Sequence, residues 1–395
     1  MKLKTLFGSL FLLLSFQFFG QTTCLPNGIT LSNQSVATNF AANYPGCTVI
    51  QGDVLLGGAI NFIGMEQLVE IQGNIRCGGD GECSGSNGQA HEDFQGLENV
   101  VAIGGIILEE HAFSFAGLES LEAITGDLRL DECGFTNFEP LYGLMEIGGS
   151  LLSLESNFES FKGLDNLNTI QGSLKIDENE ILGNSEFISS LNEIGGSFYL
   201  GDCETLEDLN GFSGLTSIGT HITVDDCPLL ASLDGLDNIS EINGELILTS
   251  NNLLVDISGI ANLAPQGISF LKLQNNPLLS YCAVASVCSH LLGNGNNEIN
   301  LNSFGCNDAT EVTEECLSAN IMNLAHENFK LINTSAESYL YLSNPGAIEF
   351  IIRDGLGKIH QKSCAMNKVS IENLSSGIYF LNVTNSAIKY KFYKH

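Results

Sequence analysis

The chain has 395 residues, 44% of them apolar, with 43 Gly, 7 Pro and no Trp, which allows a large buried core and more than one domain and is not the composition of a disordered chain. Its formal charge of −31 is unevenly spread: residues 21 to 316 carry 41 acidic and five basic side chains (Arg76, Arg129, Lys162, Lys175, Lys272), while residues 318 to 395 carry eight basic and five acidic ones. Phosphate contacts need clustered Lys and Arg, so the charge argues against nucleic acid as a partner, and the break in composition marks two domains.

In chain order, MKLKTLFGSLFLLLSFQFFG at residues 1–20 sets Lys2 and Lys4 before an apolar run, the pattern of a signal peptide cleaved near Gly20. The run is short and interrupted by Gly8, Ser9, Ser15 and Gln17, which disfavours a membrane anchor, so no transmembrane segment is expected after cleavage. Residues 21–46 are expected to form an N-terminal cap. From residue 47 a repeat sets in: Ile recurs at 50, 71, 103, 124, 147, 170, 194, 218 and 242, with spacings of 21, 32, 21, 23, 23, 24, 24 and 24. A fixed period in that range is the mark of a solenoid, expected over residues 47–316.

After the anchor come two apolar residues in alternation, as in Leu128/Leu130, Leu174/Ile176, Phe198/Leu200, Ile222/Val224, Leu246/Leu248 and, in a repeat without the Ile anchor, Leu271/Leu273. This reads as one short strand per repeat with one face buried, stacked into a parallel sheet. Beyond the strands stand Cys133, Asn157, Asn179, Cys203, Cys227, Asn251 and Asn276, read as a structural ladder. Where the chain turns away from a strand its backbone groups need new partners, and an Asn amide supplies donors and an acceptor. Cys fits the same slot as a small buried side chain.

The ladder reading makes Cys133, Cys203 and Cys227 core thiols, with a Cys203–Cys227 disulfide left open. The disulfide candidates are Cys24 and Cys47 around the N-terminal cap, Cys77 and Cys83 around the insertion RCGGDGECSGSNG, and Cys282, Cys288, Cys306 and Cys316 around the C-terminal cap, since solenoid ends need closure. Cys364 has no evident partner.

The phrases FQGLENVVAIGG, FKGLDNLNTIQGSLKI and LDGLDNISEINGELIL resemble the receptor L domain family. The resemblance covers about residues 47 to 280 and implies a right-handed, leucine-rich-like parallel β-helix; the repeats at 147, 194 and 218 shorten the segment before the anchor. NPLLSYCAVASVC is similar to the closing segment of many bacterial surface proteins with these repeats. After a linker at residues 317–326, residues 327–395 contain FIIRDGLGKIHQK and end in LSSGIYFLNVTNSAIKYKFYKH. They resemble the type A sorting domain of the Bacteroidetes type IX secretion system. That resemblance implies a small β-sandwich, the secretion machinery as partner, and an address that is secreted or on the outer-membrane cell surface. It carries over to Asp354, Gly355, Gly357, Lys358, Leu374, Gly377, Ile378, Tyr379, Lys391, Phe392 and Lys394. The family's Pro-Asn-Pro is replaced by Leu331-Ile332-Asn333-Thr334.

Catalytic motifs are absent: no H-E-x-x-H, G-x-S-x-G, phosphate-binding loop or paired C-x-x-C occurs. His91-Glu92 and Glu109-Glu110-His111 read as solvated surface runs rather than metal ligands. The candidate ligand-binding column is the outward strand position, read as Arg129, Ser153, Lys175, Tyr199, Thr223, Ile247 and Lys272. Beside it run Asp131/Glu132, Glu155, Asp177/Glu178, Asp202 and Asp225/Asp226, whose mutual repulsion solvent or Ca²⁺ could relieve; solvation is the expectation, with no required cofactor. The expected function is non-enzymatic recognition or adhesion at a glycan or protein through the solenoid face; the alternative is a polysaccharide-active β-helix enzyme, lyase or hydrolase.

Overall fold

The computed structural model describes residues 21–59, 61–77, 92–109, 113–183, 188–326, 330–331, 335–336, 338–343, 348–354, 358–365, 368–383 and 389–395. The expected signal at 1–20, Cys83 and most of the Gly-rich insertion, His91, Glu110, His111, Gly355 and Gly357 lie outside them. The chain divides into two compact units, Met1–Thr205 and Leu206–His395. That division falls between the anchors Ile194 and Ile218, not at the charge break near residue 317.

The first unit is built on parallel strands: β1 (Val54–Leu56), β2 (Glu70–Cys77), β3 (Ala102–Glu109), β4 (Leu128–Asp131), β5 (Leu151–Leu154), β6 (Leu174–Asp177) and β7 (Phe198–Gly201). Each pairs in parallel with the next, β2 and β3 with a register shift between Ile71 and Asn74, and Leu128, Leu151, Leu174 and Phe198 align in one buried row. The repeat contributes more than one strand. From Ile124 to Ile194 the anchors sit in separate two-residue strands, pairing Ile124 with Ile147 and Ile147 with Ile170. An anchor that is buried must also pair its backbone, and the neighbouring repeat's anchor is the partner within reach.

Behind the sheet of this unit, Phe62, Phe94, Phe115, Phe138 and Phe161 form one column and Phe113, Phe135 and Phe158 another, with centroids 5.3 to 6.1 Å apart along each column. Between the columns the rings meet edge to face, an arrangement worth about 0.5–1.5 kcal/mol per pair beyond burial. The F-x-G phrase of the sequence is the local cause. Gly117 has φ +98, and a Cβ there would stand 2.1 Å from the Phe94 carbonyl oxygen, so the turn admits only glycine.

In the second unit β8 (Ile222–Asp225), β9 (Gly244–Thr249), β10 (Ile268–Gln274) and β11 (Asn297–Asn300) continue the parallel pattern in register. Helix α1 (Ala285–Leu292) and helix α2 (Ala309–His326) follow; residues 317–326, expected as a linker, are the second half of α2. The C-terminal strands β12 (Ile348–Asp354), β13 (Ile359–Ala365), β14 (Gly377–Val383) and β15 (Lys389–Lys394) form an antiparallel sheet in the order β15-β14-β12-β13, with Ser335–Ala336 at its edge. A second small antiparallel sheet contains Leu340 and Val369, which share a buried cluster with Phe350, Ile352, Leu381 and Phe392.

The ladder slots obey one geometry. Asn251 Oδ1 accepts from Cys227 N–H at 3.0 Å while its Nδ2 donates to the Val224 carbonyl at 3.0 Å. Asn276 does the same for Asn251 N–H and Leu248. The series ends on Asn302, which serves Asn276 N–H and Leu273 and was not singled out in the sequence. Asn179 donates to Ser153 and Asp177 carbonyls. The residue before each slot is left-handed, with φ from +46 to +61 at Glu132, Glu155, Glu178, Asp202, Asp226, Ser250 and Asn275.

One slot is misread. Asn157 is exposed and Ser156 is buried. Ser156 Oγ accepts from Cys133 N–H at 3.0 Å and reaches the Leu130 and Leu154 carbonyls at 3.1 Å. Cys133, Cys203 and Cys227 are buried and in no disulfide; their thiols lie 3.3 to 3.6 Å from the carbonyls of Asp131, Gly201 and Asp225. The disulfides among the described residues are Cys24–Cys47, Cys282–Cys306 and Cys288–Cys316, and Cys77 is also disulfide-bonded.

Two pairs of variants check this packing. Gly117→Ala is expected to cost at least about 2 kcal/mol in chemical denaturation. Gly46→Ala, at φ +78 with nothing within 4 Å of the added carbon, should cost about 1 kcal/mol. Asn276→Ala strips both a donor and an acceptor from buried backbone and should cost about 3 kcal/mol, whereas Asn157→Ala should stay within about 0.5 kcal/mol.

Candidate functional site

The outward face of the first unit's strands carries an in-register row: Leu55, Arg76, Ile107, Arg129, Leu152, Lys175 and Tyr199. Ser153 is not in it. It pairs with Leu130 and Ile176 on the inner face and is fully buried, so the expected column is corrected to Leu152 at this strand. The apolar pair Leu152/Leu154 imitates strand alternation one residue out of step. The true inward residue is a serine whose hydroxyl meets Asn179 Oδ1 at 3.3 Å. In the second unit Thr223, Ile247, Lys272 and Glu298 form the corresponding row.

The cations of these rows are committed to neighbours. Arg129 holds Asp131 through Nε at 2.6 Å and Nη2 at 2.5 Å, and the Asp131 hydrogen bond raises the guanidinium pKa above its ordinary value. Lys175 reaches Asp177 at 2.8 Å, Arg76 reaches Asp53 at 2.9 Å and Lys272 reaches Glu298 at 3.5 Å. Lys175 Nζ also lies 4.8 Å from the centre of the Tyr199 ring. That ring runs over Gly201: a Cβ on Gly201 would meet Tyr199 Cε1 and OH at 2.7 Å. Where β4 and β6 end in Asp131 and Asp177, β7 ends in a glycine that makes room for an aromatic platform. The site therefore offers a ring, two ion pairs with spare donors and acceptors, and the aliphatic Leu152, all on one sheet face.

The acidic residues after the strands separate into two rows. Asp131 and Asp177 face their cations, and Asp225 accepts from the Thr249 hydroxyl. Glu132, Glu155, Glu178, Asp202 and Asp226 are exposed. Among the described residues no three His, Cys, Asp or Glu side chains converge as a metal-binding group, and no helix is long and apolar enough to cross a membrane.

The residues expected to carry the sorting signal divide by burial. Leu374, Tyr379 and Phe392 are core residues, and Tyr379 OH donates to the Ser375 carbonyl at 3.1 Å. Asp354, at the end of β12, accepts from Lys358 N–H at 3.1 Å and contacts His360 Nε2 at 2.8 Å. Lys358, Gly377, Ile378 and Lys391 are exposed, and Lys394 is half-buried.

Comparison with known protein families gives no matching family model, and comparison with curated proteins gives no match.

A cluster of carboxylates surrounds Asp93 in the first unit. Burial pushes its carboxyl above the ordinary 3.8, and Glu92, Glu98 and Glu119 add to the rise against the opposing Gln95 N–H. A raised acid pKa means the folded chain holds more protons than the unfolded one between 3.8 and the raised value. Stability therefore falls as pH climbs through that window. Asp93→Asn keeps an acceptor for Gln95 N–H and should raise the melting temperature at neutral pH. That gain should vanish below pH 3.8, where the wild-type carboxyl is neutral in both states.

Proposed function

We propose that the chain is a secreted or cell-surface recognition protein that binds a glycan or protein on the outward strand face of its first unit, without catalysing a reaction. In this reading the parallel strands belong to a right-handed, leucine-rich-like β-helix of the receptor L type. The C-terminal β-sandwich is a type IX sorting domain recognised by the secretion machinery. The in-register parallel pairing, the ladder of Asn, Ser and Cys and the cap disulfides support the solenoid; disulfides also suit an oxidising, exported setting.

The observation that carries the binding reading is the Tyr199 ring laid over Gly201 beside the Lys175–Asp177 ion pair. A half-buried ring flanked by fixed donors and acceptors at the sheet surface suits a sugar, which presents an apolar C–H face and a polar rim. A flat face on repeated strands suits an extended chain of such units. A glycan array probed with the purified chain tests it. The variant Arg129→Ala/Lys175→Ala/Tyr199→Ala should weaken the strongest signals by about tenfold or more with an unchanged melting profile. Equal binding by the variant would remove this face from the account, and release of reducing ends or unsaturated products from a bound polysaccharide would replace recognition by catalysis.

A further inference from the structure

Away from the sheet face, the turns of the first unit form an open, groove-like cleft of about 970 Å³ that spans several repeats. Its walls are held by backbone bonds between successive turns, Ser114 N–H to the Glu92 carbonyl at 2.9 Å, Phe113 N–H to Gly134 at 3.0 Å and Glu159 N–H to Thr136 at 2.9 Å. The floor is the inner Phe packing, reached at Phe113, Phe115 and Phe135, and one side is formed by Pro140 and the exposed ring of Tyr142. The volume lies at the upper end of the range for small-molecule pockets, about 300–1,000 Å³, and leaves room for several side chains of a bound segment.

The rim chemistry is one-sided. Glu92, Glu119, Glu139 and Glu159 all line the cleft, and no Lys or Arg is among its lining residues. Glu119 also accepts from Gly117 N–H at 3.0 Å, and Glu139 has Lys162 at 3.5 Å from outside the lining. These carboxylates belong to successive repeats, so acceptors recur along the cleft instead of meeting at one point. Such spacing does not suit a single ion. It suits a ligand with cations at intervals and apolar stems between them, since a Lys or Arg side chain can lie its methylenes on an aromatic wall while its head reaches a carboxylate.

We propose that this cleft binds an extended polypeptide segment bearing Lys or Arg side chains, their charged ends among Glu92, Glu119, Glu139 and Glu159 and their stems against Tyr142 and Pro140. The site is separate from the strand face and does not depend on what that face binds.

Fluorescence anisotropy of a labelled hexalysine peptide with the purified full chain tests this at low and high salt. Glu92→Gln/Glu159→Gln should weaken binding by about fivefold and Tyr142→Ala by about threefold. Glu155→Gln/Glu178→Gln, an equal loss of charge elsewhere on the surface, should change it less than about twofold. Equal weakening by both double variants would overturn the proposal, because attraction would then be diffuse. Hexalysine binding untouched by Tyr142→Ala, or no binding at low salt, would also overturn it. A linear polyamine that bound as tightly, with the same response to the variants, would overturn the assignment to a polypeptide.

Discussion

Everything in the repeat region rests on how the backbone is satisfied where each strand ends. A chain that turns sharply out of a sheet must leave N–H and C=O groups facing the interior, and unpaired groups there cost about 1–3 kcal/mol each. Here the next repeat supplies the partner: Ser156 for Cys133, Asn251 for Cys227, Asn276 for Asn251 and Asn302 for Asn276. Because each side chain serves the turn of its neighbour, a repeat is incomplete alone. The left-handed residue before each slot follows from the same turn, which aims the slot side chain inward and leaves its predecessor in solvent.

The surface chemistry follows from that geometry. With the turn fixed, the residue between the two inward strand positions must face outward, and register brings Arg129, Leu152, Lys175 and Tyr199 into one row. The strand-end position then decides how each outward cation is used, Asp131 and Asp177 holding Arg129 and Lys175 in place, while Gly201 yields its space to Tyr199. On the turns, the Phe columns build the floor under a carboxylate rim. The two surfaces differ in charge balance and shape, with cations paired to carboxylates on one and carboxylates without Lys or Arg in the lining of the other, although the same repeat generates both.

Much of this was legible in the sequence because the interior is aliphatic and periodic. The anchors from Ile50 to Ile242 and the strand pairs carry the repeat, while the ladder escapes the sequence at two places, Ser156 and the terminal Asn302. The failure at LLSLES shows the limit: Leu152 and Leu154 carry the apolar signal, yet Ser153 takes the interior place because Asn179 meets its hydroxyl. Alternation reports polarity, and a buried serine with a partner defeats it. The same slip moved the slot from Ser156 to Asn157. Disulfide pairing among the last cysteines of the repeat region depends on three-dimensional proximity that spacing does not encode, so Cys282–Cys306 and Cys288–Cys316 appear only in the fold. The charge break near residue 317 marked a change of surface, not the end of helix α2. The cleft was illegible because its Glu residues lie in separate repeats and read singly as solvated turns.

Amide hydrogen exchange under native conditions tests the shared-turn constraint most directly. The N–H groups of Cys133, Cys227, Asn251 and Asn276 are predicted to exchange with the slowest class of strand amides. The Ser35 amide, bonded to Asn33 Oδ1 at 3.0 Å but exposed, should exchange much faster. Exchange of the four slot amides at the rate of Ser35 would contradict the account.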